Sequence, residues 1–397
     1  MRGDAPTLRV HGLIRRINRP LVRGPPHLDA RLGPWPNGRM DPRVFDRFLA
    51  ASVKAGASDV HLKSNAQPTL RVHGVLKEVK LDAITNEGMD NLVGHILRKN
   101  RLEIDLAKIK EYDTSYYMDG VGRFRVNVLR SKGNFGLVLR IIPSNVPSLD
   151  DLGLPAVLKK IAHEERGCVL VTGVTGSGKS TTLAAMINEV NATMRKHIVT
   201  IEDPIEFLHT DKLSRITQRE VGSDTESFAN ALRGALRQDP DVILVGEMRD
   251  AITIDTGLKA AETGHLVFST VHTTDAAKTI GRIIDVFPAE AQPQIRMRLA
   301  ENLKATISQR LLRKADGAGR VVAMEIMVVT MSASEMIKDM NRTHEITDYL
   351  EKGKEHYGSQ SFDQHLIELY QAGTITFETA KTAASNPSDF ERALYVQ

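Results

Sequence analysis

Gly173-Val-Thr-Gly-Ser-Gly-Lys179-Ser180 has the spacing G-x-x-x-x-G-K-[ST]. Gly176 and Gly178 carry no side chain, so the backbone there can curl and aim its N–H groups inward, making a nest for an anion. An apolar run, Cys168 to Val171, leads in, and a helical pattern from Thr181 to Ile187 leads out. A helix start behind the loop adds partial positive charge. In that context the spacing reads as a phosphate-binding loop. Thr175, Gly176, Ser177, Gly178, Lys179, Ser180 and Thr181 are then the nucleotide contacts. Lys179 reaches the β- and γ-phosphates of ATP, and the Ser180 hydroxyl ligates Mg2+.

Three further segments supply chemistry to such a loop. Asp241-Val-Ile-Leu-Val-Gly246-Glu247 reads as a buried strand ending in a carboxylate, placed to polarise and orient an attacking water. Many ATPases place Asp before that Glu; here the position is Gly246. Glu202, Asp203 and Glu206 follow another apolar strand, and carboxylates at a strand end suit a magnesium and water site. His265 and His272 bracket a fourth apolar run, with Thr273 and Thr274 next. Residue type and spacing leave open whether these histidines sense a γ-phosphate, bridge to a neighbouring subunit or serve packing.

The elements that must position these groups are legible in outline. Apolar runs at 169–171, 198–201, 242–245 and 266–268 alternate with helical segments, which predicts a mainly parallel α/β sheet with the loop at a strand's carboxyl end. From Asp275 onward the pattern predicts helices over 275–286, 290–312, 332–351, 361–372 and 376–384. Before the loop, residues 40–143 read as a smaller α+β unit. A helix carrying Val44, Phe45, Phe48, Leu49 and Val53 ends at Gly56, and a second carries Met89, Leu92, Val93, Ile96 and Leu97. Strands are expected at 59–62, 69–72, 112–118, 123–129 and 135–142. Turn residues at 143–148 mark a linker, taken as 144–150.

Composition narrows the function classes. Of 397 residues, 41% are hydrophobic and 26% charged, ordinary for a globular protein. No apolar run approaches the roughly 18 residues of a membrane span. The lone Cys168 excludes an internal disulfide framework and a multi-cysteine zinc site. Residues 1–39 hold eight arginines, two acids and six of the 16 prolines, so they read as a disordered extension. The remainder carries 45 basic and 47 acidic residues, which argues against nucleic acid as a partner.

From about Met40 the chain resembles the secretion ATPases, and within them the PilT-type pilus retraction (twitching motility) ATPases. The motifs that carry this are GVTGSGKST, TIEDPIEF, ILVGEMRD and GHLVFSTVHTTDA, in that order, with ASDVHL, DVFP and SQRLL beside them. The resemblance implies a PAS-like N-terminal domain, a RecA-like ATPase domain over 151–397 with a helical C-terminal part, and a homo-hexameric ring. It implies Glu247 as the catalytic glutamate, Glu206 as an acid acting with it, and His265 and His272 as the family's paired histidines. It implies that Arg125 and Arg140 reach the nucleotide phosphates, a task that suits a guanidinium. The implied motor is cytoplasmic, peripheral at the inner-membrane base of a type IV pilus, with a platform protein and a paralogous retraction ATPase as partners. Where retraction ATPases carry an AIRNLIRE-like segment, this chain has Ser332-Ala-Ser-Glu-Met-Ile-Lys-Asp339, which leaves an accessory, PilU-like paralogue open. An assembly or secretion ATPase is the other reading within the superfamily, although its usual four-cysteine insertion is excluded by Cys168 standing alone.

Overall fold

The computed structural model describes residues 41–100, 104–143 and 145–396; the extension expected at 1–39 lies outside them. Helix α1 (Pro42–Lys54) begins with Pro42 in its first turn and with the Asp41 carboxylate accepting from the Arg43 N–H. Its buried residues, Phe45, Phe48, Leu49 and Ser52, lie on one stripe. Gly56, at φ +71°, turns the chain into a hairpin of β1 (Ala57–Lys63) and β2 (Thr69–Val72). His73 and Gly74, at φ +51° and +80°, make a tight turn into β3 (Val75–Glu78), an exposed strand the sequence pattern did not predict. Helix α2 (Asn86–Lys99) and strands β4 (Glu111–Met118), β5 (Gly122–Ser131) and β6 (Asn134–Ile142) follow.

These six strands form one antiparallel sheet, ordered β3-β2-β1-β6-β5-β4. The period of two decides its faces. Phe124, Val126 and Val128 of β5 enter a core shared with α1 and α2, so Arg123, Arg125 and Asn127 take the opposite face. A polar row crosses that face, because Arg71, Asp59, Arg140, Arg125 and Ser115 are directly opposite one another on successive strands.

The second sheet holds the phosphate loop. After α3 (Val157–Ala162) come β7 (Gly167–Thr172), α4 (Lys179–Thr193), β8 (His197–Glu202), β9 (Arg215–Glu220), α5 (Phe228–Ala235), β10 (Val242–Val245), α6 (Ala251–Glu262), β11 (Leu266–Val271), α7 (Ala276–Asp285) and α8 (Gln292–Asn302). Strands β12 (Leu303–Arg313) and β13 (Arg320–Val328) complete a seven-stranded sheet, ordered β13-β12-β7-β11-β10-β8-β9. All neighbours pair in parallel except the antiparallel edge β12–β13. Separate apolar cores fill its two faces, as a doubly covered parallel sheet requires. The four apolar runs fall on β7, β8, β10 and β11 as expected.

Two expectations are corrected. The helix expected over 290–312 ends at Asn302, and Leu303–Arg313 is strand β12. Leu299, Leu303, Ile307 and Leu311 stand four residues apart and mimic a helical stripe, yet Leu303, Ala305 and Ile307 also satisfy a period of two. Pairing with β7 on one side and β13 on the other decides the matter. Past β13 the chain is helical: α9 (Met331–Lys338), a 3-10 turn at Met340–Glu345, then Ile346–Lys352, Phe362–Gln371, Phe377–Ala383 and Pro387–Val396 among longer elements. Strand β9 was also not expected; its polar sequence, RITQRE, suits a sheet edge.

One buried acid sits where the sheet meets α7. Glu325 of β13 is 8% exposed, and its carboxylate accepts the Ala276 N–H at 2.7 Å, at the first turn of α7. Burial pushes its carboxyl up to about 7, and Asp275 nearby pushes the same way. The folded state therefore holds this proton more tightly than the unfolded chain. The stability so contributed is complete below the ordinary value of 4.5 and is lost as pH rises to about 7. Glu325→Gln keeps an acceptor for Ala276, so urea unfolding of that variant is expected to show a flatter dependence on pH across this window. An unchanged dependence would mean that Glu325 titrates normally.

Candidate active site

The loop leaves β7 at its carboxyl end, where the parallel strands present one edge and a cleft of about 980 Å³ opens. Gly173, Gly176 and Gly178 take φ of +142°, +79° and +94°, conformations that glycine reaches without steric cost. At Gly173 the space is gone as well, since an added Cβ would stand 2.5 Å from Ser177 Oγ and 2.7 Å from the Gln309 carbonyl. Lys179 opens α4 and is only 9% exposed. Its ammonium donates to the carbonyls of Gly173 at 2.9 Å and Val174 at 3.1 Å. Burial holds its pKa below the usual lysine value, against the pull of Glu247. Thr175, Gly176, Gly178, Ser180 and Thr181 line the cleft with it. Ser177 does not: its hydroxyl is buried under the loop, so only its backbone shares the turn.

The strands beside β7 bring in the acids. Glu247, just past β10, lines the cleft with its side chain 18% exposed. Its carboxylate pairs with Arg249 at 2.6 Å, and His272 Nε2 stands 3.7 Å from the same oxygen. Burial and the charge of Lys179 hold His272 below the ordinary histidine value, so its ring is neutral at pH 7. Glu202, Asp203 and Glu206 line the opposite wall beyond β8. Glu202 is the recessed member, bonded by Thr200 at 2.7 Å and Gln218 at 3.0 Å. Burial raises its pKa in spite of those bonds and of a further one from the Glu206 backbone. Gly246 has little room for the larger residue of other ATPases, because a Cβ there would be 3.3 Å from both the Ile201 carbonyl and the Phe228 ring.

The two histidines part company. His272 follows β11 at the cleft, whereas His265 precedes β11 and its carbonyl accepts the Gly167 N–H at the start of β7. Parallel strands of six residues put those ends roughly 20 Å apart at about 3.3 Å per residue. His265 Nδ1 instead meets the Ala260 carbonyl at 2.9 Å. The expectation that His265 touches nucleotide is therefore corrected for the cleft of its own subunit.

The arginines come from the first sheet. Arg140 lines the cleft and pairs with Asp59 at 2.9 Å. Arg125 is exposed and directly opposite Arg140 on β5. Like charges placed opposite each other repel. Asp59 serves Arg140 and, at 3.8 Å, Arg71; of the row's arginines Arg140 lines the cleft and Arg125 does not.

The sequence reading missed the residues that hold this geometry. In SQRLL, Ser308 accepts from Thr172 at 3.0 Å, Gln309 donates to Thr182 at 2.7 Å, and Arg310 lies 3.8 Å over the Phe362 ring. This strand clamps the base of the loop, the start of α4 and the C-terminal helices together. Arg123 and Glu220 were also missed; each is one charge among many until the sheets are paired. The only signal in sequence was that Arg123 shares its strand face with Arg125.

Residues 39–380 match the model of the type II/IV secretion system protein family. The type IV pilus retraction ATPase PilT of Pseudomonas aeruginosa is 46% identical over 343 residues, covering 86% of this chain and 98% of that protein. A twitching motility protein of Neisseria gonorrhoeae is 49% identical, covering 80% and 84%. A crystal structure of the pilus retraction motor PilT with bound ADP superposes with a TM-score of 0.79 at 43% identity, covering 87% of this chain and 98% of that one. The chain is thus a PilT-type member of the type II/IV secretion system protein family.

Proposed function

We propose that this chain is an ATP hydrolase that works as a ring motor for type IV pilus retraction. The observation that carries the reading is convergence: Lys179, Glu247, His272, Glu206 and Arg140 line one cleft, though they come from five separate segments. The ADP-bound relative and the names of the similar proteins support it. In this reading 40–143 is a PAS-like domain, 144–150 a linker and 151–397 a RecA-like ATPase domain. Six copies form the ring, which acts on a platform protein from the cytoplasmic side of the inner membrane. Among the described residues no helix is long and apolar enough to cross a membrane.

The residues divide the work. Loop N–H groups and Lys179 hold the phosphates. Glu247, freed from Arg249, orients water and accepts its proton. In this reading His272 donates to a γ-phosphate oxygen. Arg140 and Arg125 neutralise charge spreading over the transferred group. The donor set also fits Mg2+ of the phosphate-bound kind. No group of three His, Cys, Asp or Glu among the described residues forms a metal cage, so phosphate oxygens and water would supply most ligands. Ser180 and Glu206 would complete them, and the ion would add charge neutralisation.

A PilU-like accessory role is the second reading, favoured by the altered Ser332–Asp339 segment. The lower identity to PilU of Pseudomonas aeruginosa, 39% against 46% to PilT, weighs against it.

Lys179→Ala is expected to abolish nucleotide binding, measured by titration with a fluorescent ATP analogue; parent affinity would refute the loop's role. Glu247→Gln keeps the shape but loses the base, so ATP should still bind while phosphate release falls about a hundredfold or more. If that variant turns over at the parent rate, the acid at work lies among Glu202, Asp203 and Glu206. Deleting the gene should leave cells with excess surface pili that do not retract. Loss of pili would instead assign the motor to assembly.

A further inference from the structure

Arg123 and Glu220 join the two sheets beside the cleft. Arg123 Nη2 stands 3.0 Å from Glu220 Oε1, with the two side chains only 15% and 5% exposed. The guanidinium is pinned from its own sheet, since the same nitrogen donates to Ser115 Oγ at 2.9 Å. The carboxylate is held on its side by Ser223, whose hydroxyl donates to Oε1 at 3.3 Å. Its other oxygen accepts the Ile205 N–H at 3.0 Å. Ile205 is 2% exposed and lies between Asp203 and Glu206, the acids of the cleft wall.

One carboxylate thus touches both moving parts of the proposed reaction. Through Oε1 it holds β5, where Arg125 lies two residues from Arg123 on the same face and opposite Arg140. Through Oε2 it holds the loop that presents Glu206. A buried ion pair is poor evidence of stabilisation, because both charges lose their water. Its gain is direction, since a guanidinium bonded to hydroxyl and carboxylate admits few orientations.

Resting on the ATPase reading, we propose that the Arg123–Glu220 pair is a positioning strut: it sets the arginine face of the first sheet over the phosphate loop and, through the same carboxylate, the placement of Glu206. The arginines and Glu206 act on the transferred phosphoryl and its water, whereas the loop alone grips the nucleotide. Loss of the strut should consequently lower turnover far more than affinity.

The test compares full-length parent, Arg123→Gln, Glu220→Gln, their double variant and Arg123→Lys. Phosphate release, affinity for a fluorescent ATP analogue and native mass are measured on each preparation. Both single variants are expected to lose at least tenfold in kcat while affinity stays within about threefold. The double variant should lose no more than the worse single one, as partners in one interaction do. Arg123→Lys, which keeps the charge but not the fork, should fall between. Parent-like kcat in Arg123→Gln overturns the strut, as do multiplied losses in the double variant or affinity falling in step with kcat. If the Gln variants misfold, Arg123→Lys at the parent kcat overturns it and a kcat loss at intact affinity supports it. A parent that releases no phosphate overturns the ATPase reading itself and the strut with it.

Discussion

The cleft is organised around an ammonium that has lost its water. Lys179 is buried, and its hydrogen-bond partners are two backbone carbonyls, which carry no net charge. Burial lowers its pKa, so the charge is held at a cost and exerts a strong field in a region of reduced dielectric. The loop can bear that cost only while its carbonyls stay aimed at the ammonium. Glycine geometry at 173 aims them, and the Gln309 carbonyl packed against that position fixes the loop to β12. Strand β12 is in turn sewn to α4 by Gln309 and to the C-terminal helices by Arg310. A parallel sheet then does the rest, because it gathers the carboxyl ends of β7, β8, β10 and β11 on the side where Lys179 stands.

The first sheet answers with a second kind of tension. Five cross-strand positions run Arg71, Asp59, Arg140, Arg125 and Ser115. Two of the three positive charges share the one carboxylate, and the Arg140 bond with other nearby groups outweighs burial to hold Asp59 below its ordinary value. Apolar burial of Phe124, Val126 and Val128 on the other face keeps this row assembled despite its repulsion. Arg140 is the member of the row that brings its charge to the cleft.

Much of this was legible in the residues because local chemistry is local. The loop, the strand ending at Glu247, the acids after β8 and the apolar stripes of α1 and α2 are each encoded within a dozen residues. What failed to show depends on partners distant in sequence. Leu303 to Leu311 satisfied two periods at once, and only pairing with β7 made it a strand. His265 and His272 look symmetrical about their apolar run, yet strand direction puts one at the cleft and the other at the far edge. Arg123 and Glu220 have no local pattern at all, since each acquires meaning from the other across two sheets. Glu325 reads as an ordinary surface acid until β13 is placed beneath α7.

Among the three acids of the cleft wall, the fold itself separates their capacities. Glu202 is recessed, already bonded by Thr200 and Gln218, and burial favours its protonated form. Glu206 is exposed at the cleft, and the buried Ile205 beside it is tied by its N–H to Glu220. The carboxylate free to act is thus the one whose neighbour is fixed most firmly, which is the arrangement a positioned acid needs.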